Sequence, residues 1–254
     1  MPIIQSVERA LKILDLFDEY TPELKITEIS EKMGLHKSTV HSLLKTLQEH
    51  SYIAQNPEDG KYRLGMKLAE RGNFVVSNMD IRKIARKYLL DLSTKTGQTV
   101  HLGILEGKEG VYIDKVEGEQ SIIRYSRIGR RLPLHSTSIG KVLLAWQDPN
   151  EMQLLLKDYH YQFQTTNTIL NEEMFLKELE KVKQQGYAVD DQENEQGVRC
   201  AAVPIFNGKG QVLAALSIST LVSRVSDPEL LMFIELLKGS CQELSEQMKY
   251  GYEV

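Results

Sequence analysis

Cysteine is scarce in this chain: its 254 residues include only Cys200 and Cys241, which are far apart and form no Cys-x-x-Cys pair. A disulfide framework is therefore not expected, and a reducing cytoplasm is the expected compartment. Long apolar runs are absent as well. None approaches the roughly 20 residues of a membrane-spanning helix, and residues 1–9 lack the hydrophobic core of a signal peptide. We therefore expect no membrane partner.

An excess of positive charge is also lacking. The formal net charge is −4, and residues 1–65 are no more basic than the rest of the chain. The composition is that of a globular protein, without low-complexity segments or internal repeats. The length suits two modest domains, or one domain of ordinary size with a small module attached.

Residues 26–63 predict two helices joined by a tight turn and followed by a hairpin. Ile26, Ile29 and Met33 lie on one face of the first helix. Gly34 follows where the chain must turn, which a residue without Cβ does at no steric cost. The inward face of the second helix consists of Leu35, Val40, Leu43, Leu44 and Leu47. Asp59-Gly60 then marks the tip of a hairpin between residues 52–55 and 61–64. This order is that of a winged helix-turn-helix.

The outward face of the second helix carries no carboxylate between His36 and Gln48. Its side chains are short donors and cations of the kind that contact phosphates and base edges, namely Lys37, Ser38, Thr39, His41, Ser42 and Lys45. Residues near the helix start are expected to reach bases, and Lys45 a phosphate. Lys61 and Arg63 of the hairpin are placed to touch the neighbouring phosphate backbone. The alternative is a solvated helix face in an unrelated all-α domain, which the hairpin disfavours.

The location of the acidic residues matters more than the net charge, because counterion release counts only the phosphates that are neutralised. The acids of residues 1–65 fall on the first helix, on the outer face of the helix at 26–33 and at the hairpin tip. We therefore expect modest non-specific affinity for DNA, and a need for two or more copies of the domain on one site.

The rest of the chain predicts an α+β fold. Val7, Ala10, Leu11, Leu14 and Phe17 define an opening helix, residues 66–79 a partly helical linker, and Asp80 the cap of a helix that stops at Thr96-Gly97. Strands are predicted at 99–105, 111–117, 121–125, 187–189, 198–205 and 211–219, and helices at 138–147, 150–157, 172–185 and from 227 onwards. Consecutive hairpins indicate a mainly antiparallel sheet with helices packed on it. The predicted divisions are a DNA-binding domain at 1–65, a linker at 66–79 and a sensor domain at 80–250.

Several segments resemble the IclR family of bacterial transcriptional regulators. They are Ser6-Val7-Glu8-Arg9-Ala10-Leu11, Lys37-Ser38-Thr39-Val40-His41, Tyr62-Arg63-Leu64-Gly65, the run 133–141, the run 186–191 and Gly197-Val198-Arg199-Cys200-Ala201-Ala202. The resemblance covers nearly the whole chain. It implies a winged domain, a linker helix, an effector domain related to GAF and profilin-like sensor folds, and dimers that often form tetramers. One departure is Ser42, where members commonly carry Arg, so one phosphate or base contact is expected to be absent or moved.

The effector domain has a candidate anion site at the start of the predicted helix at 138–147. The hydroxyls of Ser136, Thr137 and Ser138 precede this helix, whose first backbone N–H groups are unpaired. An ordinary Ser/Thr N-cap is the alternative. The family resemblance implies an effector pocket at Ser138, Ile139, Asp190, Cys200, Ser217 and Ser219, with Asp190 in the loop after Tyr187. Ser217 and Ser219 alternate with Ile218 and so share one strand face. Asp190 would disfavour an anion unless it is paired, which leaves the ligand's polarity open.

Two other interpretations centre on Cys200, which together with Asp190, Asp191, His101 and His135 suggests a Cys/His nucleophile or a metal site. No local nucleophile motif supports catalysis. A buried cysteine that behaves as a small hydrophobe is the alternative, and it is the one we adopt for Cys241. The arginines Arg124, Arg127, Arg130 and Arg131 could gather anions near the pocket, but such a run is more often a solvated loop, which is the interpretation we adopt.

The sequence therefore predicts a cytoplasmic transcriptional regulator, a repressor rather than an activator. Its operator affinity would respond to a small molecule, with a carboxylate as one candidate, and no cofactor is expected. Its partners would be a roughly palindromic double-stranded DNA operator and further copies of itself in a homodimer or tetramer. The alternatives are a metal-sensing regulator, an enzyme centred on Cys200 with an attached DNA-binding domain, and an architectural DNA-binding protein whose sensor domain is vestigial.

Overall fold

A computed structural model describes residues 3–18, 20–119 and 126–249 of the chain. It divides into two compact units, Met1–Asn78 and Met79–Val254. The strand predicted at 121–125 and Arg124 lie outside the described residues. Within those ranges, no helix is both long and apolar enough to cross a membrane.

The first unit is a winged helix-turn-helix followed by a further helix. Its elements are α1 (Gln5–Leu14), α2 (Ile26–Met33), α3 (Lys37–Glu49), β1 (Ile53–Gln55), β2 (Tyr62–Leu64) and α4 (Met66–Ser77). α2 ends at Gly34, which has the left-handed φ of 61° that the turn requires. The Ser30 hydroxyl donates to the carbonyl of Leu35 at 2.5 Å and holds the turn closed. β1 and β2 pair as the predicted antiparallel hairpin.

The core of this unit is built from all three helices of the motif and the wing. Its buried members are Ile13, Phe17, Leu24, Ile29, Val40, Leu44, Ile53 and Tyr62. The predicted apolar stripe of α1 is only partly buried: Phe17 is in the core, but Val7 and Leu11 are 54% and 56% exposed. The reason is that the inward face of α1 runs through Ile13, so Val7 and Leu11 lie on another face. These two side chains are therefore exposed at the surface of the unit.

The second unit is a layered α+β domain. Its elements are α5 (Asp80–Thr96), β3 (Thr99–Glu106), β4 (Glu109–Val116), β5 (Arg131–Leu132), α6 (Ser138–Ala145), α7 (Pro149–Leu156), α8 (Glu172–Gln185), β6 (Ala188–Asp191), β7 (Val198–Phe206), β8 (Val212–Leu221) and α9 (Asp227–Met248). The described strands form an antiparallel sheet in the order β5-β4-β3-β8-β7-β6. The short edge strand β5 was not predicted.

Helices cover both faces of the sheet. Because side chains alternate along a strand, Val100, Leu102 and Ile218 face one way and pack with α5 and α9. Ala188, Ala202 and Ala215 face the other way and pack with α6 and α8. Small residues on this second face let α6 lie close to the sheet. A Cβ added at Gly103 would be 2.8 Å from Cγ2 of Ile139, so glycine at this position lets the start of α6 lie against the strands.

The ends of the helices follow their local sequence with one exception. α5 and α8 end at Gly97 and Gly186, both with left-handed φ. Asp80, predicted as the cap of α5, is instead its first residue, after Met79 at the cap position. Its carboxylate contacts Lys83 at 3.2 Å, one turn along the helix, which is a surface ion pair and not a cap.

Candidate functional site

The outward surface of α3 is open to solvent. Lys37, Ser38, His41, Ser42 and Lys45 are exposed, and Thr39 is half-buried. Val40 and Leu44 on the opposite side are buried in the core, which fixes the rotation of the helix. α3 has no acidic residue in its first turn, and its single carboxylate is Glu49 at the last position. This is a positively charged, hydroxyl-bearing helix face of the kind that enters a major groove.

Two of the predicted DNA-binding side chains on α3 and the wing have contacts within the described part of the chain. The Ser42 hydroxyl donates to the carbonyl of Ser38 at 3.1 Å, so towards DNA it is left as an acceptor. The Lys61 ammonium lies 3.7 Å from Asp59 and 4.0 Å from Glu23, which partly offsets its charge. Arg63 is exposed on β2. All of the predicted DNA-binding residues are thus at least partly exposed, on α3 or on the wing. Lys61 is the least available to a phosphate, because two nearby carboxylates partly offset its charge.

The second unit contains a polar cavity between the start of α6 and the sheet. It encloses about 430 Å³ of atom-free space, the part open to solvent included. The lining residues are His101, Tyr112, Ser126, Arg130, Thr137, Ser138, Ile139, Asp190, Asn194, Glu195, Val198, Cys200 and Ser219. They come from β3, β4, β6, β7, β8, the first turn of α6 with its N-cap Thr137, and the two connecting segments that contain 126–130 and 194–195. The space that the centre of a water-sized sphere can occupy is only about 30 Å³, so a ligand larger than a few water molecules requires the walls to move apart.

Five of the six predicted pocket residues line this cavity: Ser138, Ile139, Asp190, Cys200 and Ser219. Ser217 does not. It lies on the same strand face as Ser219 but two residues before it in β8, where it pairs with His101 of β3. At this level of the sheet the cavity is lined by His101 and not by Ser217. Asp190 is on β6, paired with Cys200 of β7, and not in a loop. Thr137 is the N-cap of α6, with its hydroxyl accepting from the backbone N–H of Gly140 at 3.1 Å.

Asp190 is the buried acidic group of the cavity, whereas Glu195, which also lines it, is half-buried. Its Oδ1 accepts hydrogen bonds from the backbone N–H groups of Glu193 at 2.7 Å and Asn194 at 3.3 Å. These bonds favour the carboxylate, but burial outweighs them and raises the pKa of Asp190 to about 7. The cavity therefore changes its charge near neutral pH.

His101 supplies a neutral ring to the cavity wall. Burial, followed by the charges of Lys115 and Arg130, lowers the pKa of His101 to about 3. The ring stacks on Tyr112 with centroids 4.3 Å apart, and its Nδ1 is 3.4 Å from the hydroxyl of Ser219. Its Nε2 is buried without a hydrogen-bond partner among the described residues, as is the hydroxyl of Ser126. Buried polar atoms are rarely left in this condition, so a ligand or water has two groups to satisfy here.

The side chain of Cys200 is held in the protonated thiol form and not in the thiolate form that acts as a nucleophile. Burial, followed by the charge of Asp190, raises the pKa of the Cys200 thiol, whose Sγ donates to the Ser219 hydroxyl at 3.1 Å. A nucleophilic cysteine needs the opposite shift and a base beside it. In the ranges the structure describes, no group of three His, Cys, Asp or Glu side chains is placed to hold a metal ion.

Sequence reasoning did not assign His101, Tyr112, Ser126, Arg130, Asn194 or Glu195 to the pocket. Strand alternation could have found His101, because it shares a sheet face with Ser219. Arg130 was interpreted as part of a solvated loop, but it lines the cavity. Its neighbour Arg131 does lie at the surface, on β5, where it pairs with Glu106 at 2.8 Å and Glu109 at 3.3 Å.

Comparisons with known proteins agree with both units. Residues 6–57 match the IclR helix-turn-helix domain, and residues 73–246 match the C-terminal part of the bacterial transcriptional regulator IclR. The HTH-type transcriptional regulator XynR of Escherichia coli K12 is 60% identical over 98% of this chain and 99% of its own length. KdgR of the same strain is 40% identical over 97% of this chain and 94% of its own. The crystal structure of Thermotoga maritima IclR is 38% identical, with a TM-score of 0.78 over 97% of this chain and 99% of that one.

A winged helix-turn-helix whose exposed helix α3 carries no carboxylate before Glu49, attached to a separate domain, defines a DNA-binding transcriptional regulator, as its named relatives are. The chain belongs to the IclR family of bacterial transcriptional regulators.

Proposed function

We propose that this regulator is a cytoplasmic repressor whose affinity for its operator changes when a small acid binds in the cavity of the second unit. The observation that carries the proposal is the cavity itself. It combines two buried polar groups that have no hydrogen-bond partner among the described residues, Nε2 of His101 and the hydroxyl of Ser126, with Arg130 and an Asp190 whose pKa is about 7. Such a set of convergent polar groups in a small enclosed space is typical of a ligand site.

A carboxylate ligand fits these groups. The guanidinium of Arg130 and the first turn of α6, with Ser138, favour negative charge. Below pH 7 a protonated Asp190 donates a hydrogen bond and does not repel an anion. The neutral His101 ring offers either a donor or an acceptor at Nε2, depending on its tautomer. Hydroxyl groups on the ligand would therefore find partners at His101 and Asp190.

Operator binding is proposed to need a dimer. In the first unit, large apolar side chains are exposed on α1 and the residues before it, namely Ile3, Ile4, Val7 and Leu11, and also on α4, namely Met66, Phe74 and Val75. An exposed apolar set of this extent suits an interface between copies. A symmetric pair of α3 helices would then read a roughly palindromic site. Ligand binding needs to change the spacing of the two helices by only a few Å, with a coupling of about 1–3 kcal/mol as the usual scale.

The DNA-binding part is tested by a gel shift with the upstream region of the regulator's own gene. Lys37→Ala combined with Thr39→Ala is expected to abolish the shifted band. Lys177→Ala, which removes an exposed lysine of α8 in the second unit, is the control and should leave the band unchanged. An unchanged band in the double variant would show that α3 is not the reading helix.

The ligand-binding part is tested by calorimetry with a panel of small carboxylates on the full chain, followed by operator binding with any carboxylate that gives heat. Ser138→Tyr fills the cavity and should abolish binding. Asn150→Tyr, on the surface of α7, should not. If Ser138→Tyr leaves the affinity unchanged, the ligand site lies elsewhere. If a bound carboxylate never changes operator affinity, the second unit does not act as a sensor.

A further inference from the structure

Lys141 of α6 is a buried cation that is not one of the predicted DNA-binding residues and does not line the cavity. Its side chain is 0% exposed. Its Nζ lies 2.6 Å from Oε1 of Glu193, 2.9 Å from the carbonyl oxygen of Val189 and 3.3 Å from Oε1 of Glu178. An ammonium has three N–H donors, and here each has an acceptor. A buried charge is retained only when it is paired in this way, so the arrangement is specific and not incidental.

The three acceptors belong to different parts of the domain. Val189 is on β6, Glu178 is on α8, and Glu193 is in the segment 192–197 that connects β6 to β7. Glu193 is also the residue whose backbone N–H donates to Oδ1 of Asp190 at 2.7 Å. Its carbonyl accepts from the hydroxyl of Thr168 at 2.7 Å. Glu193 is thus hydrogen-bonded to the buried Lys141 through its side chain and to Asp190 of the cavity through its backbone N–H.

The two ends of this connection lie next to residues that line the cavity. Lys141 is one helical turn after Ser138, which lines the cavity at the start of α6. Glu193 directly precedes Asn194 and Glu195, which line it from the connecting segment. The side chain of Ser136 adds a weaker bridge, donating to Oδ1 of Asn194 at 3.3 Å. The hydrogen bond of 2.6 Å between Lys141 and Glu193 therefore ties α6 to the segment that carries Asn194 and Glu195.

We propose that Lys141 is a positioning residue for ligand recognition: its ion pair with Glu193 holds the segment 192–197, and with it Asn194, Glu195 and the partners of Asp190, at a fixed distance from the start of α6. This inference rests on the proposed function, because the cavity is taken to be the ligand site. Its test needs no ligand, so its failure and the failure of the proposed function are separate results.

The alternative is that Lys141 stabilises the domain in general. The chain offers a matched comparison, because the same ammonium contacts two carboxylates and only one belongs to the cavity segment. Glu193→Gln and Glu178→Gln each remove one negative charge from Lys141 with little change in shape. A general role predicts similar effects of the two substitutions, whereas a positioning role predicts that only Glu193→Gln loosens the segment 192–197.

The measurement is hydrogen–deuterium exchange of the full chain, read by mass spectrometry on peptides that cover 190–197, β3 and α9. In Glu193→Gln, the amides of 190–197 are expected to exchange about tenfold faster than in the unsubstituted protein, with β3 and α9 unchanged. In Glu178→Gln, all three regions should match the unsubstituted protein. Lys141→Met is expected to act like Glu193→Gln, and if it fails to fold the two glutamate variants decide alone.

A second readout reports access to the cavity. Cys200 lines it and is partly exposed, and Cys241 is buried in α9 as an internal reference. Alkylation of Cys200 by N-ethylmaleimide should be several-fold faster in Glu193→Gln than in Glu178→Gln, with Cys241 unreactive in both. Equal exchange and equal alkylation in the two variants would overturn the proposal. So would faster exchange in all regions of Glu193→Gln, because that is the behaviour of a general stabilising role.

Discussion

Asp190 and Cys200 lie directly opposite each other in the antiparallel pair of β6 and β7, and both line the same cavity. Burial raises the pKa of both side chains, and each is disfavoured as an anion by its surroundings. Only the pKa of Asp190, at about 7, falls in the physiological range. Ionisation of this one carboxyl is therefore the event that changes the charge of the cavity wall within that range.

The raised pKa of Asp190 predicts that the protein loses stability as the pH rises. Between pH 3.8 and about 7 the folded state holds a proton on Asp190 that the unfolded state has released. Stability therefore falls by about 1.4 kcal/mol per pH unit across this window from this group alone. Asp190→Asn removes the effect. Urea unfolding of both proteins at pH 5 and pH 8 should show that the unsubstituted protein loses more stability than the variant.

Asp191→Asn is the control for that measurement, because Asp191 is exposed on the same strand. It should behave as the unsubstituted protein does. If Asp190→Asn and the unsubstituted protein show the same difference between pH 5 and pH 8, Asp190 is ionised throughout and the cavity does not change its charge near neutrality.

His101 predicts a pH dependence of the opposite sign. Burial lowers its pKa from 6.5 to about 3, so between these values the unfolded state binds a proton that the folded state does not. Stability from this group is present above pH 6.5 and is lost at about 1.4 kcal/mol per pH unit as the pH falls. Between pH 4 and 6.5 the contributions of Asp190 and His101 oppose each other in the unsubstituted protein.

Single substitutions should separate the two contributions. Over pH 4–6.5, His101→Gln is expected to become less stable as the pH rises, and Asp190→Asn less stable as it falls, both relative to the unsubstituted protein in urea unfolding. His50→Gln, at an exposed position after α3, is the control. Parallel pH profiles of the two cavity variants would show that these groups do not titrate as their burial requires.

Local sequence patterns predicted the elements that depend on neighbours in the chain. The turn at Gly34, the hairpin tip at Asp59-Gly60 and the ends of α5 and α8 at Gly97 and Gly186 each need a special backbone conformation, and glycine provides it. The antiparallel sheet followed from consecutive hairpins. The placement of five pocket residues came from the family resemblance and not from periodicity.

What the sequence did not predict depends on contacts between distant residues. His101 meets Ser219 across 118 positions, and Lys141 meets Glu193 across 52. Strand alternation gives the face on which His101 lies but not which strand is beside it, and no short-range pattern indicates the partner in either pair. Val7 and Leu11 show a different limit of sequence-based prediction. An apolar helical face predicts burial without specifying the partner, and in this chain that face is not covered by the unit's own core.

The exposed apolar face of α1 predicts that Leu11→Glu yields a folded monomer. A charge placed in an apolar interface between copies opposes association, whereas within one chain the position is exposed, so the free energy of unfolding of the unit should change by less than about 0.5 kcal/mol. Light scattering after size exclusion should report a reduced mass, and the operator band in a gel shift should disappear with it.

Leu154→Glu makes the same chemical change at an exposed leucine of α7, in the second unit, and is the control. It should keep the oligomeric mass and the operator band. A Leu11→Glu protein with unchanged mass would mean that copies associate through another surface, and the proposed pairing through the DNA-binding unit would be wrong.

The arrangement of α3 predicts that Lys45 and Thr39 contribute to DNA binding in different ways. Lys45 is exposed two turns into the helix, where it is expected to meet a phosphate, so Lys45→Ala should weaken binding to all sequences equally. It should also reduce the slope of log K against log salt by about 0.9 for each phosphate that the variant no longer neutralises.

Thr39, near the helix start, is placed to read a base. Thr39→Ala should keep the salt slope and cost about 1–3 kcal/mol on the operator alone. Fluorescence anisotropy with operator and scrambled duplexes at several salt concentrations separates the two effects. If Thr39→Ala weakens both duplexes equally, the start of α3 does not contact base edges, and specificity must come from DNA shape or from the wing.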